Sequence, residues 1–95
     1  MRPDHGGRLE LKLMQASDAS ARYTLTIFLP EREVTTEAQV RTADGALELG
    51  AWQGEAPPPW LESVARALLR TVWRSATTDG DWPRRVTRWR PEPKS

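Results

Sequence analysis

WLESVARALLRTVWRSA, residues 60–76, is the one stretch with unambiguous apolar spacing. Leu61, Val64, Ala65, Leu68, Leu69, Val72, Trp73 and Ala76 recur at steps of three and four, which stacks them on one face of a helix. Glu62, Arg66, Arg70 and Arg74 follow one another at four-residue steps on a different face. At the rise of an α-helix the segment is about 25 Å long, enough to lie across a small sheet. Glu62 in the first turn and Arg74 in the last suit the two ends of the helix dipole. Pro57-Pro58-Pro59 stiffens the approach, and a proline at the first helical position has no helical hydrogen bond to lose. Thr77 to Gly80 is the expected stop.

Such a helix needs an apolar surface to cover, and the preceding sequence supplies one. In RLELKLM, Leu9, Leu11 and Leu13 alternate with Arg8, Glu10 and Lys12, the period of a strand with one buried face. In ARYTLTIFL, Tyr23, Leu25, Ile27 and Leu29 alternate with Arg22, Thr24, Thr26 and Phe28, residue types suited to a pleated surface. A third strand is expected over Val34 to Thr42, with Val34, Thr36, Ala38 and Val40 on one face. Asp44-Gly45 fits a two-residue hairpin turn. That turn would pair Thr42 with Leu47, Arg41 with Glu48 and Val40 with Leu49, leading into a fourth strand, Ala46 to Trp52.

The fold class expected is therefore α+β: a four-stranded antiparallel meander, one long helix across its apolar face, and a short C-terminal element. One domain is expected over residues 8–90, between a flexible N-terminal tail (1–7) and a C-terminal tail (91–95). For 81–90, DWPRRVTRWR, a short helix is expected, with Asp81 as cap, Pro83 in the first turn, and Trp82, Val86 and Trp89 at helical spacing. Val86-Thr87 and Trp89 also suit a strand. The first strand is expected at a sheet edge, open to strand addition.

Composition narrows the function classes. The chain has 95 residues and no cysteine, so disulfides, thiolate metal sites and cysteine nucleophiles are excluded. The start, MRPDHGG, lacks the apolar run of a signal peptide, and no run approaches the roughly 18 residues of a membrane span. A soluble cytoplasmic protein without membrane association is the expectation. Arginine, alanine and proline, all with GC-rich codons, are abundant, in keeping with a bacterial source. His5, the single histidine, lies in the expected tail, away from any triad or histidine metal site. Asp79 and Asp81 around Gly80 lack the further ligands of a calcium loop, and no glycine-rich phosphate loop is present. No catalytic, cofactor-binding or metal-binding residues are assigned, and a non-enzymatic protein is expected.

Two candidate surfaces remain. Residues 1–59 carry six basic and nine acidic side chains, net −3; residues 60–95 carry eight and four, net +4. Within the basic part, Arg66, Arg70 and Arg74 form a helical ridge. Arg84, Arg85, Arg88 and Arg90 follow, interleaved with Trp82 and Trp89. Arginine mixed with aromatics binds phosphates and stacks on bases. Four-spaced arginines opposite an apolar stripe are also an ordinary solvated face, and the pI of about 8.3 lies below that of typical nucleic-acid-binding domains. The second surface is the other sheet face, where alternation places Phe28 and Trp52; its expected cover is the Trp82–Trp89 segment, a second copy or another protein. A small protein-interaction module is thus the first expectation, working with a protein partner or by self-association. Nucleic-acid binding is the alternative, and an enzyme or small-ligand binder has least support.

Overall fold

The computed structural model describes residues 5–93. Its elements are β1 (Gly7–Ala16), β2 (Ser20–Phe28), β3 (Glu33–Arg41), β4 (Leu47–Leu49), α1 (Pro59–Asp79) and β5 (Arg85–Arg90). They build an α+β fold in which a five-stranded antiparallel sheet, ordered β4-β3-β2-β1-β5, carries α1 on one face. Residues 1–4 and 94–95, the outer parts of the two expected tails, lie outside the described residues.

Strand alternation produces the core. Leu9 and Leu11 from β1, Tyr23, Leu25 and Ile27 from β2, and Val34, Ala38 and Val40 from β3 are buried against Leu61, Ala65, Leu68, Leu69 and Val72 of α1. Burial of these aliphatic side chains, at about 1.5–3 kcal/mol each, is the main force holding the helix to the sheet. Thr36 shares this face, and its hydroxyl donates to the Ala51 carbonyl at 3.1 Å, so its buried oxygen is satisfied. The helix runs past the expected stop, through Thr77 to Asp79, so that no basic residue lies in its last turn, and it ends at Gly80, whose N–H meets the Ala76 carbonyl in a left-handed cap.

Three features of the sheet depart from the sequence expectations. First, the C-terminal element is a strand, which makes the sheet five-stranded. Pairs from Gly7↔Arg90 to Lys12↔Arg85 join it to β1, and Leu13 N–H extends the ladder to the Arg84 carbonyl at 2.8 Å. A helix over 81–90 would have left β1 with a row of unpaired backbone groups; pairing satisfies them along six residues. β1 is consequently an interior strand, and the edges are β4 and β5.

Second, the β3–β4 register is shifted by two residues, to Val40↔Leu47, Gln39↔Glu48 and Ala38↔Leu49. The connection is longer than a two-residue turn. Gly45 N–H reaches the Arg41 carbonyl (2.8 Å), Arg41 N–H reaches the Ala46 carbonyl (2.9 Å), and the Asp44 carboxylate accepts Ala46 N–H (3.0 Å). The helix selects this geometry: Trp73 Nε1 donates to the Thr42 carbonyl at 2.9 Å, and its ring lies where a Cβ on Gly45 would stand. Gly45 has φ +71°, a conformation that side chains oppose. The shift is an even number, so apolar residues still meet apolar residues.

Third, β4 is short. Gly50 N–H bonds to the Glu37 carbonyl and Gln53 N–H to the Thr35 carbonyl, so three steps along one chain match two along the other. The extra residue is a bulge, and it reverses the alternation beyond it.

Candidate interaction surface

The bulge decides where Trp52 goes. Its indole packs on the core and its Nε1 donates to Glu62 Oε1 at 3.4 Å, so it lies on the helix side of the sheet. Phe28 stays on the open side, paired with Arg8 on β1 and Glu33 on β3. The two residues expected to share a face are separated by the sheet.

The tryptophans of the last segment also part. Trp82 packs on the core with its ring edge-to-face on Tyr23, centroids 6.3 Å apart. Beside it the Tyr23 hydroxyl donates to the Pro83 carbonyl at 2.6 Å, tying the start of β5 to the middle of the sheet. Burial pushes the Tyr23 phenol up from 10.0 to about 12, because the interior disfavours the phenolate. Trp89 is 43% exposed on the open face, its Nε1 bonded to the His5 carbonyl (3.1 Å) and its ring in a T-shaped contact with the His5 imidazole. Pairing sets Trp89, Arg8, Phe28 and Glu33 side by side across four strands, an arginine between two aromatics. The Trp82–Trp89 segment therefore extends the sheet instead of covering its second face.

The arginines form three groups. Arg66 is 3.8 Å from Glu62, the residue that receives Trp52, which places it on the flank of α1 nearer β4. Arg70 and Arg74 are exposed along the helix. Arg88, by contrast, joins Arg90 on the opposite flank, where both line a cleft of about 220 Å³ with Val64, Ala67, Leu68 and Thr71. Arg84 and Arg85 stand at the far end of β5 beside Met14, which is 57% exposed, and line a wider depression of about 570 Å³ with Lys12. Arg85 Nη2 is 3.5 Å from Glu10 Oε2 on the open face. Among the described residues no carboxylate lies within 4 Å of Arg84, Arg88 or Arg90.

Instead, Arg88 and Arg90 turn back on their own strand. Arg88 Nη1 donates to the Thr87 carbonyl at 2.7 Å and Arg90 Nη1 to the Trp89 carbonyl at 2.9 Å. These carbonyls point away from β1. The Leu13–Arg84 bond fixes the phase of the ladder, so the even-numbered residues of β5 aim their backbone groups at β1 and Arg85, Thr87 and Trp89 aim theirs outward. Two guanidinium groups thus cap the free edge. The pairing of Arg88 with Arg90, and their helical partners Val64, Ala67 and Thr71, escape a reading of 81–90 as helix. Period-two alternation in Val86, Arg88, Arg90 against Arg85, Thr87, Trp89 is the signal that finds them.

Among the described residues no three histidine, aspartate or glutamate side chains gather as metal ligands, and no helix is long and apolar enough to cross a membrane. No family model, curated protein or solved structure matches this chain.

Proposed function

We propose that this chain is a small non-enzymatic interaction module that takes a protein partner on the β5 edge of its sheet. The observation that carries this reading is the state of that edge: β5 is outermost, its outward backbone groups face away from the sheet, and five of its six residues are exposed. Edge strands are templates for strand addition. The opposite edge is poorly suited, being three residues long and followed by the bulge. A photo-crosslinking residue placed at Thr87, and separately at Glu48, tests this in cells that make the protein. A discrete protein adduct at Thr87 and none at Glu48 is expected; equal labelling, or none at Thr87, refutes the reading.

The Trp89–Arg8–Phe28 row favours a second reading, single-stranded nucleic acid lying on the open face. Aromatic side chains on an exposed sheet stack bases at about 1–3 kcal/mol each. Lys12 and Arg85, paired on the same open face, would add phosphate contacts. This reading requires oligonucleotide affinity that falls steeply with salt through counterion release and drops in Trp89→Ala. Absence of retention on single-stranded DNA at low salt removes it.

A further inference from the structure

The cleft between β5 and α1 narrows the partner's chemistry, an inference that rests on the β5-edge reading above. We propose that its occupant is an extended acidic strand of another protein, whose helix-side positions run carboxylate, apolar, carboxylate. The strand pairs with β5, places its apolar side chain against Val64, Ala67 and Leu68, and takes Arg88 and Arg90 with its carboxylates.

Each part follows from the edge as it stands. An incoming strand must offer N–H groups to the outward carbonyls of Thr87 and Trp89, and in the free protein Arg88 and Arg90 already occupy those carbonyls. Pairing therefore displaces two guanidinium groups. A strand without carboxylates leaves both cations crowded against new backbone, whereas a strand with them gives each a charge-assisted, bidentate partner. The arginines act as a filter: they blunt the edge toward neutral strands and reward acidic ones.

The same charges exclude a second copy. Antiparallel pairing of β5 with itself sets outward-aimed residues opposite outward-aimed ones and so brings arginines face to face, Arg84 with Arg90 when Thr87 meets Thr87, or Arg88 with Arg88 when Thr87 meets Trp89, and like charges directly opposite are destabilising. Protection against edge-to-edge association accounts for arginines on an edge, but not for what lies beside them. Val64 is half-buried and Ala67 exposed, and beside the rim of the buried Leu68 they leave an apolar flank of α1 that the sheet covers only in part. A side chain descending from a sixth strand would meet this flank, with the aliphatic stems of Arg88 and Arg90 as walls.

The test is an NMR titration of the full chain with the capped peptide Thr-Glu-Thr-Val-Thr-Glu-Thr. The expected result is saturable shifts at the amides of Thr87 and Trp89 and at Val64 and Ala67, with at least tenfold weaker binding in R88E/R90E. The same peptide with lysine replacing glutamate should not bind. Ala67→Trp fills the cleft from an exposed position, and a melting temperature near that of the parent verifies its fold; it should weaken binding about tenfold while the edge stays intact. Unchanged affinity in Ala67→Trp, with loss in R88E/R90E, overturns the cleft inference and leaves the β5-edge reading standing. Equal binding of the lysine peptide, or no binding of the acidic one, overturns the inference, and the Thr87 crosslink then judges the edge reading separately. Shifts at the same amides on raising protein concentration alone would name a second copy as occupant and overturn it as well.

Discussion

At one margin of the sheet, β4 contributes three paired residues and then leaves the ladder; at the other, β5 pairs along six and stays exposed. The β4 margin is fastened from several directions. Trp73 of α1 holds the turn before it, Trp52 behind it bonds to Glu62, and Arg32 donates to the Glu55 and Ala56 carbonyls at 2.6 and 3.2 Å to hold the chain beyond. The β5 margin depends on its pairing with β1 and on the Tyr23–Pro83 bond. Its own arginines cap what remains. The helix closes one edge and leaves the other free, so the asymmetry lies in where α1 places its tryptophan contacts.

The largest effect should come from breaking the closed edge. Gly45→Val forces a β-branched residue into a positive φ and drives its side chain into the Trp73 ring. A loss of about 3 kcal/mol is expected, combining backbone strain and overpacking. Urea unfolding measures it; a loss below about 1 kcal/mol would show that the turn relaxes away from Trp73 and that the clamp is weak.

The open edge should fail first in alkali. Tyr23 has a folded pKa of about 12 against 10.0 when unfolded, so the fold binds the phenolic proton more tightly than the unfolded chain does. Its contribution is fully present below pH 10, declines between pH 10 and 12, and is gone above the folded pKa. By proton linkage a difference of this size corresponds to at most about 2–3 kcal/mol. The diagnostic is the difference between the parent and Tyr23→Phe, which should lack the Tyr23 slope. Parallel stability curves for the two proteins would refute the assignment.

At neutral pH, Tyr23→Phe removes the hydroxyl that holds Pro83 and should cost about 1 kcal/mol. Where the loss falls matters more than its size. Hydrogen exchange should quicken across Arg85–Arg90 while Glu33–Arg41 keeps its protection. Uniform acceleration across the sheet would mean that β5 is as firmly part of the cooperative unit as β3, and the contrast between the edges would fail.

The same contrast explains what the sequence made legible. The core face of β1, β2 and β3 and the apolar stripe of α1 are written in local periodicity, because each of those elements buries one side and wets the other. The edges are not. Strand β5 is wet on most of its surface, so Trp82, Val86 and Trp89 fit a helical spacing as well as a strand, and only an unpaired β1 decides between them. The extra residue near Trp52 carries no local mark, since it is fixed by the Thr36 hydroxyl and the Ala51 carbonyl across the strands. Of the candidate surface, the arginines could be named from composition. Their division between two flanks of α1, and the role of Val64 and Ala67 beside Arg88, required the register.

The smallest expected effect separates charge from pairing at the open edge. Arg85 and Glu10 stand 3.5 Å apart, with side chains 70% and 23% exposed, so solvent screens most of their attraction. Glu10→Gln keeps the side chain's shape and removes its charge. It should change stability by no more than about 0.5 kcal/mol, and the difference should vanish in high salt. If β5 is held by its backbone ladder and Tyr23, exchange at Val86, Arg88 and Arg90, whose amides face β1, will be unaltered in this variant. Faster exchange there than Tyr23→Phe produces would instead make the ion pair the fastening of the edge.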